Sequence, residues 1–91
     1  MKIYLFRFDD GVDGELIEHL LAASIRNAEH FYGKPRVRLN ASYLVSKHTA
    51  IIKVMDEAGE FILRLFTGNA SDKIGDNRFT VEPKNELKGV S

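Results

Sequence analysis

The sequence predicts an α+β fold: a single small domain in which one long amphipathic helix packs on one face of a mostly antiparallel sheet. Three observations predict it. One stretch keeps its apolar residues at the helical period, and most of the remainder alternates apolar and polar residues at the period of a strand. A chain of 91 residues is also too short for two independent cores, so helix and strands must share one.

The expected order is β-α-β-β-β-β. Residues 2–8 read as an inner strand, with Tyr4, Phe6 and Phe8 alternating with Ile3, Leu5 and Arg7. Asp9-Asp10-Gly11-Val12-Asp13-Gly14 breaks that pattern and supplies helix N-caps. From about Asp13 to Tyr32, Leu16, Ile17, Leu20, Leu21, Ser24, Ile25, Ala28, Phe31 and Tyr32 fall on one half of a helical wheel, while Glu15, Glu18, His19, Arg26, Glu29 and His30 fall on the other. Gly33 suits the helix C-terminus and Pro35 opposes continuation.

From Arg36 the period switches to two, with Val37, Leu39, Ala41, Tyr43 and Val45 on one side. Residues 50–55 form the next strand, and a turn falls near Ser46-Lys47-His48, because one straight strand over both segments would overrun a compact domain. Asp56-Glu57-Ala58-Gly59 reads as a hairpin loop with Gly59 at positive φ, and residues 61–66 as the returning strand. A polar loop over 68–77, holding at most one helical turn, leads to a last strand over 78–82, ended by Pro83. The domain is thus expected over residues 1–83, with a polar tail over 84–91.

With one helix available, one sheet face is left uncovered. Alternation places Ile51, Lys53, Met55, Ile62, Arg64 and Phe66 on it, beside Ile3, Leu5, Arg7, Arg38, Asn40, Ser42 and Leu44. An apolar patch studded with basic groups is uncommon on a monomer. The leading expectation is a non-catalytic interaction or regulatory module that forms a homodimer through this face, with Ile51, Lys53, Met55, Ile62, Arg64 and Phe66 as interface residues. A different protein partner could use the same face. The alternative is a nucleic-acid or anionic-ligand binder using Arg7, Arg38, Lys53 and Arg64. Coverage of the face by the chain itself is the third possibility.

Catalytic constellations are weak by comparison. Asp9, Asp10 and Asp13 could offer carboxylates to a divalent ion, which gives a small metal-assisted enzyme as a further alternative, but Gly11 and Leu20 stand where a calcium loop needs ligands. Turn formation and capping account for the same three residues. His19 and His30 lie about 16 Å apart along a helix, too far to share an ion. Ser24, in the middle of the apolar stripe, reads as a small packing residue bonded back to the Leu20 carbonyl. The segment from Gly68 to Gly75 lacks the spacing of a phosphate loop, and no nucleophile–base pair has a recognisable spacing. No catalytic residue, cofactor or metal site is therefore expected.

Thirteen Lys and Arg balance thirteen Asp and Glu, so net charge gives no pull toward polyanions or an anionic membrane. The absence of cysteine excludes disulfides and thiolate metal sites. Charges interrupt the apolar N-terminus too early for a signal peptide, and no segment approaches the ~20 apolar residues of a membrane span. A cytoplasmic location is the expectation. On that reading the N-x-S sequons at Asn40 and Asn69 are chance matches.

Overall fold

The computed structural model describes residues 2–84, and of residues 38–41 the backbone alone. The elements are β1 (Lys2–Phe8), α1 (Gly14–Tyr32), α2 (Lys34–Asn40), β2 (Ala41–Val45), β3 (Thr49–Val54), α3 (Glu57–Lys73), a 3-10 turn at Asp76–Arg78, and β4 (Phe79–Lys84). The strands form an antiparallel sheet in the order β2-β3-β1-β4. The α+β class and the helix-on-sheet packing are as the sequence predicts, while the order of elements differs.

Leaving aside the short α2, the chain runs β-α-β-β-α-β, the split βαβ or ferredoxin-like arrangement. Each βαβ unit brackets a strand of the other: β3 lies between β1 and β2, and β1 lies between β3 and β4. This describes a topology and carries no function.

α1 forms where expected. The Asp13 side chain accepts a hydrogen bond from the Glu15 N–H at 3.0 Å, and Ile17, Leu20, Leu21, Ser24 and Ala28 are buried. Gly33, at φ 88°, closes the helix by donating its N–H to the Glu29 carbonyl. The Ser24 hydroxyl donates to the Leu20 carbonyl at 2.9 Å, the packing role its position predicts. It also accepts from Asn69 Nδ2 of α3 at 3.2 Å, which joins the two long helices. Phe31 departs from the expected apolar half: it is 72% exposed, in an outer aromatic cluster with Tyr32 and Phe61.

Residues 57–73 are the principal correction. In place of a hairpin, a strand over 61–66 and a polar loop, they form one helix. Asp56 is its N-cap, accepting from the N–H groups of Ala58 and Gly59, and Glu57 and Glu60 sit in the first turn, where the helix dipole favours acids. Ala58, Ile62, Phe66 and Ala70 recur at every fourth residue and are buried together. Phe66 meets Phe6 edge-to-face at 4.9 Å, so α3 packs on the same sheet face as α1. Gly59 does not take positive φ; it is buried where a Cβ would come within 3.2 Å of Val54 Cα.

Residues 34–40 are likewise helical rather than extended. Pro35 lies in the first turn of α2, where its missing N–H is not needed, and Val37 is buried. Arg36 of α2 ties three helices together: its guanidinium lies 5.0 Å over the Tyr32 ring and its Nε is 3.2 Å from Asp56 Oδ2, the cap of α3. The turn over residues 46–48 and strands β1 and β3 match expectation. β4 continues through Pro83 to Lys84, which an edge strand tolerates. The polar tail expected beyond it lies outside the described residues from residue 85 onward. Among the described residues no helix is long and apolar enough to cross a membrane.

Candidate functional site

Both helices pack on the face of the sheet that carries Phe6, Phe8, Ala50, Ile52 and Val54, where the core lies. Strand alternation and register then define the opposite face as rows of side chains. One row runs Leu44–Ile51–Leu5–Glu82, and its neighbour runs Ser42–Lys53–Ile3–Lys84. Arg7 stands in the next row between Thr49 and Thr80. Leu44 is 61% exposed, and Ile51, Leu5 and Ile3 are half-buried by their sheet neighbours alone. No described element packs over them.

The charges on this face gather at the β4 side. Arg7 Nε lies 3.1 Å from Glu82 Oε1, and Lys84 Nζ lies 3.4 Å from the same oxygen. The Arg7 hydrogen bond first, and Lys84 second, hold the Glu82 carboxyl below the usual carboxylate range. Lys53, farther across the sheet, is in no ion pair among the described residues.

The sequence-predicted interface set is divided by the fold. Ile51 and Lys53 are on the open face. Met55 lies just past the end of β3 and is exposed beside Lys2, Asp56, Glu57 and Glu60. Ile62 and Phe66 are core residues of α3, and Arg64 is exposed on that helix, among Tyr32, Glu57, Glu60 and Phe61. Their assignment to the open face is thus corrected, because a helix turns them through its own period instead of alternating them.

The predicted anion-binding set separates in the same way. Arg7 and Lys53 share the open face, Arg64 sits in the helical layer, and Arg38 belongs to α2, its side chain outside the described residues. Lys84 is the open-face cation that sequence reasoning missed. The signal is the alternation Thr80, Glu82, Lys84, which Pro83 masks by reading as a strand end.

The aspartates of the β1–α1 loop diverge. Asp13 caps α1, Asp9 lies 3.9 Å from the Arg78 guanidinium, and Asp10 lies 3.9 Å from His48 Nε2. Among the described residues no group of His, Asp or Glu is placed to hold a metal ion. Comparisons with protein-family models, curated proteins and solved structures give no match.

Proposed function

We propose that this domain is a non-catalytic interaction module that self-associates through the open face of its sheet. The observation that carries the reading is the continuous aliphatic row Leu44–Ile51–Leu5, with Ile3 beside it, on a face that neither long helix approaches. The face measures roughly 19 by 20 Å from strand spacing and rise, about 400 Å² in plan and more in accessible area. Adding the flexible stems of Arg7, Lys53 and Lys84 brings it toward the ~800 Å² per partner of an ordinary interface.

Side-chain chemistry favours a protein surface over a nucleic acid as the occupant. Sheets that read single-stranded RNA stack bases on aromatic side chains, and here Tyr4, Phe6 and Phe8 of the central strand all point toward the helices. Glu82 offsets one of the three positive charges that Arg7, Lys53 and Lys84 place on the face, so like-charge repulsion between two copies is reduced and the aliphatic row must supply the attraction.

Sedimentation of the full chain at high micromolar concentration tests the proposal. Ile51→Asp should lower the sedimenting mass while preserving the far-UV circular dichroism. An unchanged mass, or a wild-type chain that sediments as a monomer, refutes it.

A further inference from the structure

We infer that β2 is a second self-association site, at which another copy of this chain adds its own β2 antiparallel across a two-fold axis at Tyr43. This surface differs from the open face, and the inference stands whether or not that face self-associates.

The two edges of the sheet differ. β4 carries the features that protect an edge from pairing, with Pro83 lacking a donor and Glu82 and Lys84 charged. β2, Ala41-Ser42-Tyr43-Leu44-Val45, has no charge and no proline. Tyr43 and Leu44 on it are 55% and 61% exposed. An uncharged, apolar edge presenting free backbone groups is a template for another strand.

The register of β2 on β3 leaves the outer edge ready to pair. The Ser46 N–H donates to the Thr49 carbonyl at 2.8 Å, which makes that opposed pair a hydrogen-bonded one. Pairs alternate along an antiparallel ladder, so Leu44 and Ser42 also bond to β3, whereas the N–H and C=O groups of Ala41, Tyr43 and Val45 point outward. A two-fold axis at Tyr43 sets Tyr43 opposite Tyr43 of the second copy and Ala41 opposite Val45. Every outward group then finds a partner, in about six hydrogen bonds.

Charges beside the edge are complementary under the same two-fold axis. β2 borders a groove that it shares with Glu18, Leu21 and Ala22 of α1. Glu18, Ala22 and Arg26 form one stripe of that helix at every fourth residue, with a small residue in the middle and opposite charges at the ends. The same two-fold axis sets α1 antiparallel to its copy, so that Glu18 faces Arg26 in both directions and Ala22 leaves room for the approach. Neither Glu18 nor Arg26 is in an ion pair among the described residues.

The test uses sedimentation of the full chain at high micromolar concentration with four variants. Tyr43→Pro removes an outward N–H without touching the β2–β3 ladder, so it should abolish edge pairing in a folded chain. Glu18→Arg should weaken association about tenfold, Arg26→Glu should do the same, and the Glu18→Arg/Arg26→Glu double exchange should restore it. The charge variants keep the test decisive if the proline variant fails to fold. A mass unchanged by Tyr43→Pro, a double exchange no better than either single change, or a monomeric wild type overturns the inference. If association persists in Tyr43→Pro and is lost in Ile51→Asp, the open face is the contact and the edge is not. The reverse pattern keeps the edge and removes the open face.

Discussion

Gly59 and Gly68 lie in the same helix and differ in what surrounds them. Replacing a helical glycine by alanine gains about 0.8–1.0 kcal/mol of helix propensity in an interior position. Gly68 is exposed, and a Cβ there meets nothing within 4 Å, so Gly68→Ala should realise most of that gain. Gly59 is buried in the first turn, and its Cβ would lie 3.2 Å from Val54 Cα, 3.5 Å from Val54 Cγ1 and 3.7 Å from the Lys53 carbonyl oxygen. Carbon pairs prefer about 3.5–4.0 Å, and the nearest atom is strand backbone that no rotamer change can move. Overpacking of this kind costs about 1–3 kcal/mol, which cancels or exceeds the smaller propensity gain of a first-turn residue. Gly59→Ala should therefore be less stable than Gly68→Ala by about 1–3 kcal/mol, a separation of at least about 4 °C in Tm for a domain of this size. Thermal and urea unfolding followed by circular dichroism measure it. Equal stabilisation by the two substitutions would refute the close seating of α3 on β3.

Further outcomes follow from other elements. Phe66→Ala should destabilise by about 3–5 kcal/mol in urea unfolding, while Arg64→Ala stays within about 0.5 kcal/mol. Comparable effects at both positions would contradict the helical period that separates them. Asp56→Ala removes the cap of α3 and the partner of Arg36, and should cost about 0.5–2 kcal/mol by the same assay, whereas an unaffected midpoint would count against that cap. Glu82 has a folded-state pKa below its ordinary value of 4.5, so its contribution to stability is present above that value and is lost as pH falls through the folded pKa. Carbon-detected NMR titration should show the depressed carboxyl, and Arg7→Ala should raise it; a titration unmoved by that change would exclude the Arg7 bond as its main cause.

Where one period ran without competition, the sequence was readable. Phe31 apart, the apolar stripe of α1, the capping Asp13 and the terminating Gly33 act as their residue types require. β1 and β3 are strands as expected, so their two-residue period places Ile3, Leu5, Ile51 and Lys53 together on the open face. In residues 57–73 two periods competed. Phe61-Ile62-Leu63-Arg64-Leu65-Phe66 is apolar enough to fit a strand, and Gly59 resembled a turn residue. The deciding signals were the fourfold spacing of Ala58, Ile62, Phe66 and Ala70, the acids after Asp56, and leucines that favour helix over strand. Misreading that one element moved Ile62, Arg64 and Phe66 onto the wrong surface. The β2 edge could not be read locally, because strand order depends on which distant segments pair.

The central position of β1 also sets a timetable for synthesis. Its partner on one side, β4, lies at the far end of the described chain: Arg7 and Glu82, joined across the two strands, are 75 residues apart in sequence. At ribosomal rates of about 5–20 residues per second, β1 waits roughly 4–15 seconds for that neighbour. Through the interval an apolar strand, Ile3-Tyr4-Leu5-Phe6, keeps one ladder of backbone groups unpaired, whichever other elements have already docked. A message truncated before Phe79, or a ribosome stalled there, yields a chain whose middle strand has become an edge. Until β4 pairs with it, β1 thus presents an apolar edge to which another chain could add.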